Sequence, residues 1–286
     1  MTKNKMLIMM FLSLVLLVAG CGTKPSPQAE APKTGGDQSA AQTQKETKLD
    51  QIKKAGKIIV GTSADYPPYE FHKEINKKDE IVGFDIEIAK AIAKDLGVQL
   101  EIKDMKFDGL LAALDSGNVD FVISGMTPTP ERQKSVDFTK VYYTAVQKVV
   151  VRAEDKDKIK SVDDLKGKKV GAQKGATQEQ IVKEQMPNSE LKAIFKISDL
   201  MLELKNKKVD ALVVEQPVAN AYLAKNKDLV VSDIALKTED SGSAIAVKKG
   251  NADLAGAMNK TLDKLIADKT IDKLVTEANE QVDQQQ

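Results

Sequence analysis

The fold of this chain is decided by the residues SGMTPTPER at 124–132, which follow the mostly apolar run VDFVI at 119–123. An apolar run of this length is typical of a buried strand. The two prolines that come next exclude a strand and favour a turn or the first turn of a helix. We therefore predict a strand, then a polar loop with open backbone N–H groups, then a short helix that carries Arg132.

Arg132 indicates what this loop could bind. A carboxylate docked on the loop would meet hydroxyl groups, free N–H groups and a planar guanidinium that can hold it with two parallel hydrogen bonds. The alternative is a simple strand-loop-helix connection, in which Arg132 forms a surface salt bridge with Glu131 or Asp137. The residues alone leave both interpretations open.

The N-terminal residues predict export. Lys3 and Lys5 precede an apolar run at 6–19, which is too short for a membrane-spanning helix and fits a secretory signal. This run ends in LVAGC at 17–21, which resembles a bacterial lipoprotein signal. The resemblance implies a signal peptide at 1–20 and a lipid on Cys21, which would anchor the protein to a membrane.

Composition restricts the class of protein further. The polar residues that follow Cys21 show no apolar period, so we predict a disordered tether at 21–48. Cys21 is the only cysteine, so an exported product would have no internal disulfide. The net charge is +1, with acids and bases interspersed, which argues against a nucleic-acid partner.

Several kinds of catalytic or cofactor site are not expected. His72 is the only histidine, so a histidine-based triad or a multi-histidine metal site would be hard to build. The phosphate-binding pattern GxxxxGK[ST] and the dinucleotide pattern GxGxxG are both absent from the sequence. We predict no metal and no cofactor.

The globular part of the chain repeats one pattern of elements. Each half runs strand, loop, helix, strand, helix, strand, proline-containing loop and helix, and GNVDFV at 117–122 matches KKVDAL at 207–212. Parallel strands joined by helices imply two α/β lobes. Ligands of open α/β sheets bind beyond the carboxyl ends of strands, where the predicted loops lie, so the expected site is a cleft between the lobes.

Three local predictions concern the loops. Two adjacent prolines predict a loop at 63–71, and the charged residues at 72–80 predict an exposed turn. Thr177 is predicted to cap a helix whose first N–H groups point towards any nearby anion.

From about residue 49 to 275 the chain resembles the extracellular solute-binding proteins of polar amino-acid ABC transporters. The motifs that carry this resemblance are specific only together: Gly61-Thr62, DYPPY at 65–69, GFDI at 83–86, Phe107-Asp108, SGMT at 124–127 with Glu131-Arg132, Val170-Gly171 and GATQ at 175–178. The family implies a two-lobe periplasmic-binding-protein fold of type II. Each lobe would be a mostly parallel sheet flanked by helices, and the two would close around one amino acid in the cleft.

The resemblance also implies lobe boundaries. Lobe 1 would comprise 49–146 and a return segment at 241–286, and lobe 2 would comprise 147–240. The two crossings between the lobes would lie near 146–151 and 237–243.

Individual roles follow from the same resemblance. Arg132 would hold the ligand α-carboxylate, helped by the backbone N–H groups of Thr127 and Thr177. Gly125 would offer its carbonyl, and Glu215 its carboxylate, to the ligand α-ammonium. The full predicted ligand-binding set is Ser63, Asp65, Tyr66, Phe107, Ser124, Gly125, Thr127, Arg132, Gln173, Thr177, Gln178 and Glu215. Glu215 could instead be a plain helix-start acid.

The ligand side chain would lie between Tyr66 and Phe107, if these are not ordinary core aromatics. An aromatic pair suits the flat guanidinium of arginine. Asp65 or Glu70 could meet a positive tip, whereas Ser63 stands where some basic-amino-acid binders of the family carry Asp. We therefore place arginine first, with lysine, histidine and glutamine also considered.

The functional prediction is a monomeric, lipid-anchored receptor on the extracellular face of the cell membrane. It would deliver a basic amino acid to an ABC transporter permease and catalyse no reaction. The alternatives are a glutamine- or cystine-binding receptor of the same type and, with less support, a dehydratase built on the same fold.

Overall fold

The computed structural model describes residues 46–238 and 242–284. The predicted signal peptide, Cys21 and most of the predicted tether lie outside these residues. The last tether residues are described, and they belong to the first helix: Thr47 is its N-cap, and its side chain accepts a hydrogen bond from the N–H of Asp50. No helix in the described ranges is both long and apolar enough to cross a bilayer.

The described chain first forms the helices and strands that precede the change from one large sheet to the other. They are α1 (Lys48–Ala55), β1 (Lys57–Thr62), β2 (Asp65–Tyr66), β3 (Glu70–Ile75), β4 (Lys78–Val82), α2 (Phe84–Leu96), β5 (Gln99–Asp104), α3 (Leu110–Asp115), β6 (Phe121–Val122), α4 (Pro130–Ser135) and β7 (Val136–Thr144). A 3-10 turn at Phe107–Gly109 leads into α3.

The rest of the chain forms a second series and a return segment. The second series is β8 (Gln147–Arg152), β9 (Lys169–Gln173), α5 (Thr177–Gln185), β10 (Glu190–Ile194), α6 (Ile197–Lys205), β11 (Ala211–Glu215), α7 (Gln216–Lys225) and β12 (Leu229–Val231). The return segment is β13 (Gly242–Lys248), α8 (Ala252–Ala267) and α9 (Thr270–Asp283).

Two five-stranded sheets form the centres of two lobes. The first has the order β5-β1-β6-β13-β7 and the second has the order β10-β9-β11-β8-β12. In each sheet the first three strands run parallel, whereas the last two pairings are antiparallel. Each sheet therefore has four strands that run in one direction and one reversed strand, so the sheets are mixed but mostly parallel, as the sequence predicts.

The change from the first sheet to the second occurs at residues 145–146, between β7 and β8. The segment 146–151, predicted as a crossing, is almost entirely β8, which pairs with β11 and β12 inside the second sheet. Val149, Val150 and Val151 of this strand have no exposed surface, so β8 is a central part of the second lobe's core.

Residues 63–82 differ from the prediction. They contain a separate three-stranded antiparallel sheet, β2-β3-β4, in place of the predicted loop and exposed turn. The charge of residues 72–80 hid this hairpin, because both of its strands extend towards solvent. Gly83, which follows it, has φ of +124°, and a Cβ there would lie 2.1 Å from the Tyr69 carbonyl oxygen, so only glycine fits.

The internal repeat seen in the sequence has a structural counterpart. Val119 and Val209 are both buried, and each is followed by an aspartate that binds the backbone of the neighbouring parallel strand, β1 or β9. The carboxylate of Asp120 accepts the N–H of Ile59 at 2.8 Å. The carboxylate of Asp210 accepts the N–H of Lys169 at 2.9 Å. In both sheets, therefore, the Val-Asp pair buries its valine and uses its aspartate to hold the neighbouring strand.

Candidate functional site

The loop after β6 is built as its sequence predicts. Thr129 is the N-cap of α4, its hydroxyl accepts the N–H of Arg132 at 3.3 Å, and Pro130 is the first helical residue. Proline fits this position because its missing N–H has no intrahelical partner there. The short helix places Arg132 in its first turn, beside the cleft between the lobes.

The Arg132 guanidinium joins the two lobes. It donates to the Thr127 carbonyl oxygen at 2.8 Å and to the Gly175 carbonyl oxygen of the second lobe at 3.0 Å. It also lies 5.3 Å from the ring centroid of Phe107. Burial lowers the pKa of Arg132 to about 10, so the side chain stays charged at neutral pH.

The alternative surface salt bridges of Arg132 are not formed. Glu131 pairs with Lys134 at 2.6 Å, and Asp137 pairs with Lys249 at 2.8 Å. The guanidinium is thus held by backbone carbonyls and an aromatic ring, which leaves its positive charge uncompensated by a carboxylate within the described residues.

Glu215 comes from the opposite lobe, at the carboxyl end of β11 and the N-cap position of α7. Its side chain is buried, and it accepts the Tyr69 hydroxyl at 2.6 Å and the Gln147 amide N–H at 3.4 Å. Burial raises the pKa of Glu215 to about 7. Since no cation is among its hydrogen-bond partners in the described residues, this carboxyl group is poised to gain one.

A small cavity lies between these two side chains. Only about 10 Å³ of it is open to a water-sized sphere, so the side chains of the two lobes nearly meet there. The residues that line it are Tyr66, Phe107, Ser124, Gly125, Thr127, Arg132, Gln173, Ala176, Thr177, Gln178 and Glu215. The structure therefore brings together the predicted ligand-binding residues, adds Ala176, and leaves out Ser63 and Asp65.

Ser63 and Asp65 lie beside the cavity wall. The Ser63 hydroxyl donates to Asp65 at 3.2 Å, and its N–H donates to the Ser124 hydroxyl at 3.2 Å. The other carboxylate oxygen of Asp65 accepts the N–H of Ile197 at 2.6 Å, at the start of helix α6. Asp65 thus caps a helix of the opposite lobe, and burial raises its pKa to about 6.

Two backbone details differ from the prediction. The N–H of Gly125 is occupied, since it donates to Asp85 at 2.9 Å, so it is not open to a guest. The N-cap of α5 is Ala176, which offers no side-chain hydrogen bond, and Thr177 is the first helical residue. No side chain at the N-cap occupies the first N–H groups of α5, which lie at the edge of the cavity. Such N–H groups are available to an anion.

Tyr69, Gln147 and Asp85 were not among the predicted site residues. Tyr69 and Gln147 hold the Glu215 carboxyl group, and Asp85 holds Gly125. Tyr69 could have been found in the DYPPY motif, whereas Gln147 carries no signal in the sequence. No group of three or more His, Cys, Asp or Glu side chains placed to hold a metal ion occurs among residues 46–238 and 242–284.

This arrangement matches a known family. Residues 58–279 match the family model of bacterial extracellular solute-binding proteins, family 3. The chain belongs to this family. As a family-3 binding protein it has the two-lobe α/β periplasmic-binding-protein fold, and its function class is amino-acid transport by ABC systems.

The family-3 relatives include proteins with different ligands. The arginine-binding extracellular protein ArtP of Bacillus subtilis (strain 168) is 45% identical over 223 residues, covering 76% of this chain and 84% of ArtP. The L-cystine-binding protein TcyJ of Escherichia coli (strain K12) is 33% identical over 227 residues, covering 79% and 84%. The L-arginine-bound structure of AbpA from Streptococcus pneumoniae aligns with a TM-score of 0.80 and 42% identity, covering 82% of this chain and 98% of AbpA.

Proposed function

We propose that this protein captures free L-arginine outside the cell and delivers it to an ABC importer. The observation that carries the proposal is the pair of opposite charges at one cavity, with Arg132 on the first lobe and Glu215 on the second. An amino acid is a zwitterion, and its two charges leave water at acceptable cost only if both are paired. Arg132 would bind the α-carboxylate and Glu215 the α-ammonium.

The surroundings favour a ligand with an additional positive charge. Besides Glu215, the half-buried carboxyl group of Asp65 and the buried carboxyl group of Asp85 lie next to the cavity, and burial raises the pKa of each to about 6, so both are ionised at neutral pH. Arg132 is the only cation that lines the cavity among the described residues. A guanidinium on the ligand would balance this excess of acids, and the rings of Tyr66 and Phe107 would flank it. ArtP and AbpA support the same choice.

Closure of the lobes would follow from the same contacts. Arg132 and Glu215 come from different lobes, so a ligand that touches both is bound better by the closed arrangement than by an open one. We propose that the closed form is what the permease recognises. We also propose lobe boundaries at 49–146, 147–240 and 241–286, a lipid anchor at Cys21, and a monomeric protein that performs no chemistry.

A thermal-shift panel with isothermal titration calorimetry tests the ligand assignment. Free arginine, lysine, histidine, glutamine and cystine are added separately to the exported form of the protein. Arginine should raise the melting temperature most, because a ligand at 100 times its Kd stabilises the folded state by about 2.7 kcal/mol. A shift with glutamine or cystine and none with arginine would contradict the assignment while keeping the receptor function.

The dehydratase alternative has its own test. Glu215 has a pKa near neutrality, which is suitable for a general acid, so the protein is incubated with cyclic carboxylic acids that can lose water. We expect no product beyond the uncatalysed rate. Turnover that is lost in Glu215→Gln would replace the receptor by an enzyme.

A further inference from the structure

Two buried acids lie directly beneath the loop that lines the cavity. Glu70 begins β3 and Asp85 is in the first turn of α2, and neither has any exposed surface. A buried carboxyl group is costly unless hydrogen bonds satisfy it, so the contacts of these two side chains require an explanation.

Each acid holds one of two successive loop residues. The Ser124 hydroxyl donates to Glu70 Oε1 at 2.6 Å. The N–H of Gly125 donates to Asp85 Oδ2 at 2.9 Å, and the Tyr142 hydroxyl donates to the same oxygen at 2.8 Å. Both loop residues line the cavity, so the two acids fix part of its wall from behind.

Each of the two acids has one oxygen atom that is left without a hydrogen-bond partner in the described part of the chain. Glu70 Oε2 and Asp85 Oδ1 are fully buried, and no N–H or O–H group of another described residue donates to them. Two buried carboxylates this close repel each other when both are ionised, and neither of these oxygens has a donor within the described ranges that would offset the charge, so one of the two groups is protonated. Asp85 already accepts two donors at Oδ2, which suits the anion, so Glu70 carries the proton.

The charged and titratable neighbours agree with this assignment. Tyr142 from β7, Tyr66 and Asp65 from β2, Tyr69 and Glu215 surround the pair, and all are acids or phenols. Burial, and then the charge of Asp85, hold the pKa of Glu70 well above its ordinary value. Burial raises the pKa of Asp85 to about 6, and its three hydrogen bonds oppose that rise.

The backbone at Gly125 has a left-handed conformation that glycine adopts readily and other residues do not. Gly125 has φ of +52°, and a Cβ there would lie 3.3 Å from the Tyr66 ring. We propose that Glu70 and Asp85 are positioning residues that share one proton and hold Ser124 and Gly125 in the conformation that binds an amino acid. This proposal rests on the proposed binding function of the loop.

The test compares Glu70→Gln with Glu70→Leu. The amide of Gln can still accept from Ser124 and donate to Asp85, whereas Leu can do neither. We expect Glu70→Gln to bind arginine within about threefold of the wild-type Kd, and Glu70→Leu to bind at least about tenfold more weakly. Glu87→Gln, a change at a partly exposed residue on the same helix as Asp85 that removes only the ion pair with Lys90, should leave Kd unchanged.

Two further measurements separate positioning from a general structural role. In infrared difference spectra at pH 8.5, where Asp65 and Glu215 are ionised, the wild type should show the carbonyl stretch of a protonated carboxylic acid, and Glu70→Gln should lack it. Hydrogen exchange at Gly125, without any ligand, should be slow in the wild type and Glu70→Gln and faster in Glu70→Leu and Asp85→Ala.

The outcomes are distinguishable. Equal loss of affinity in Glu70→Gln and Glu70→Leu would show that Glu70 acts as an anion, which overturns the proposal. Wild-type affinity in Glu70→Leu, or a missing carboxylic acid band, would overturn it as well. If arginine does not bind the wild type, the exchange and infrared results still decide the role of the pair, and the failure belongs to the proposed ligand alone.

Discussion

The two lobes use the same framework and present opposite chemistry to the cleft. Both sheets have three parallel strands followed by two antiparallel pairings. In both, an aspartate directly before the third strand binds the backbone of the neighbouring parallel strand. Each lobe also carries one of the two arginines of the chain. Arg132 lies at the cleft, whereas Arg152 is buried and donates to the carbonyl oxygens of Leu204 and Val209.

The difference arises at the carboxyl ends of the matching strands. In the second lobe α7 starts directly after β11, so the last strand residue, Glu215, is left at the cleft. In the first lobe residues 123–129 intervene between β6 and α4, and this loop carries the small and hydroxyl residues and leads to Arg132. The loop length thus decides where the charged residue stands in each lobe, and the residue itself, Arg132 or Glu215, decides the sign of the charge.

Removing the Arg132 guanidinium should have the largest effect on arginine affinity. Arg132→Ala should raise the Kd for arginine by roughly 30-fold to more than 1,000-fold, because truncating one partner of a buried charge pair costs about 2–5 kcal/mol. Calorimetry measures this, with circular dichroism as the check on folding. The matched control is Arg152→Ala, which should lower stability but leave the Kd of the folded fraction unchanged. A Kd for Arg132→Ala within about threefold of the wild-type value would contradict the central role of Arg132.

Replacing the Glu215 carboxylate by an amide should weaken arginine binding less, and the size of this loss should depend on pH. Glu215→Gln should raise the Kd by roughly 10-fold to 100-fold at pH 8, since a charged hydrogen bond is worth about 1.5–3 kcal/mol. A ligand cation favours the ionised carboxylate, so the wild type must release a proton to bind below pH 7. Its affinity should therefore rise as pH increases through about 7.

The Kd of Glu215→Gln divided by the Kd of the wild type isolates the effect of Glu215, because the other titrating groups are the same in both proteins. It should fall towards one as pH decreases from 8 to 5.5. A ratio that does not change over this range would show that Glu215 does not meet a cation on the ligand.

Removing either of the matching aspartates, Asp120 or Asp210, should lower the free energy of unfolding and leave arginine affinity unchanged. Asp120→Ala and Asp210→Ala each leave a backbone N–H without its acceptor, which costs about 1–3 kcal/mol of the free energy of unfolding. Asp120 is the more buried of the two and also contacts Lys48 at 2.5 Å, so its loss should cost more. Urea denaturation measures both variants.

The exposed Asp115→Ala serves as the reference for this pair and should change the free energy of unfolding by less than about 0.5 kcal/mol. A large loss of arginine affinity in either framework variant, at full folding, would contradict the division between framework and cleft.

Much of the site could be predicted from the sequence because its signals are local. Prolines at 128 and 130, the N-cap Thr129 and the short helix after it place Arg132 without reference to distant residues. The repeated VD motif likewise marks the same strand position in both halves. The hairpin at 70–82 was missed, because its charged strands carry no hydrophobic alternation towards a large core.

The sequence by itself therefore determined the two α/β lobes, the family and the residue types at the cleft, since periodicity, proline and glycine act over a few neighbouring residues. Only the tertiary structure decided which acids face the cavity and which support it. Asp65 caps helix α6 of the other lobe, and Asp85 holds Gly125 from behind. These partners lie 132 and 40 residues away along the chain, so the folded packing, and no local pattern, determines what each carboxylate meets.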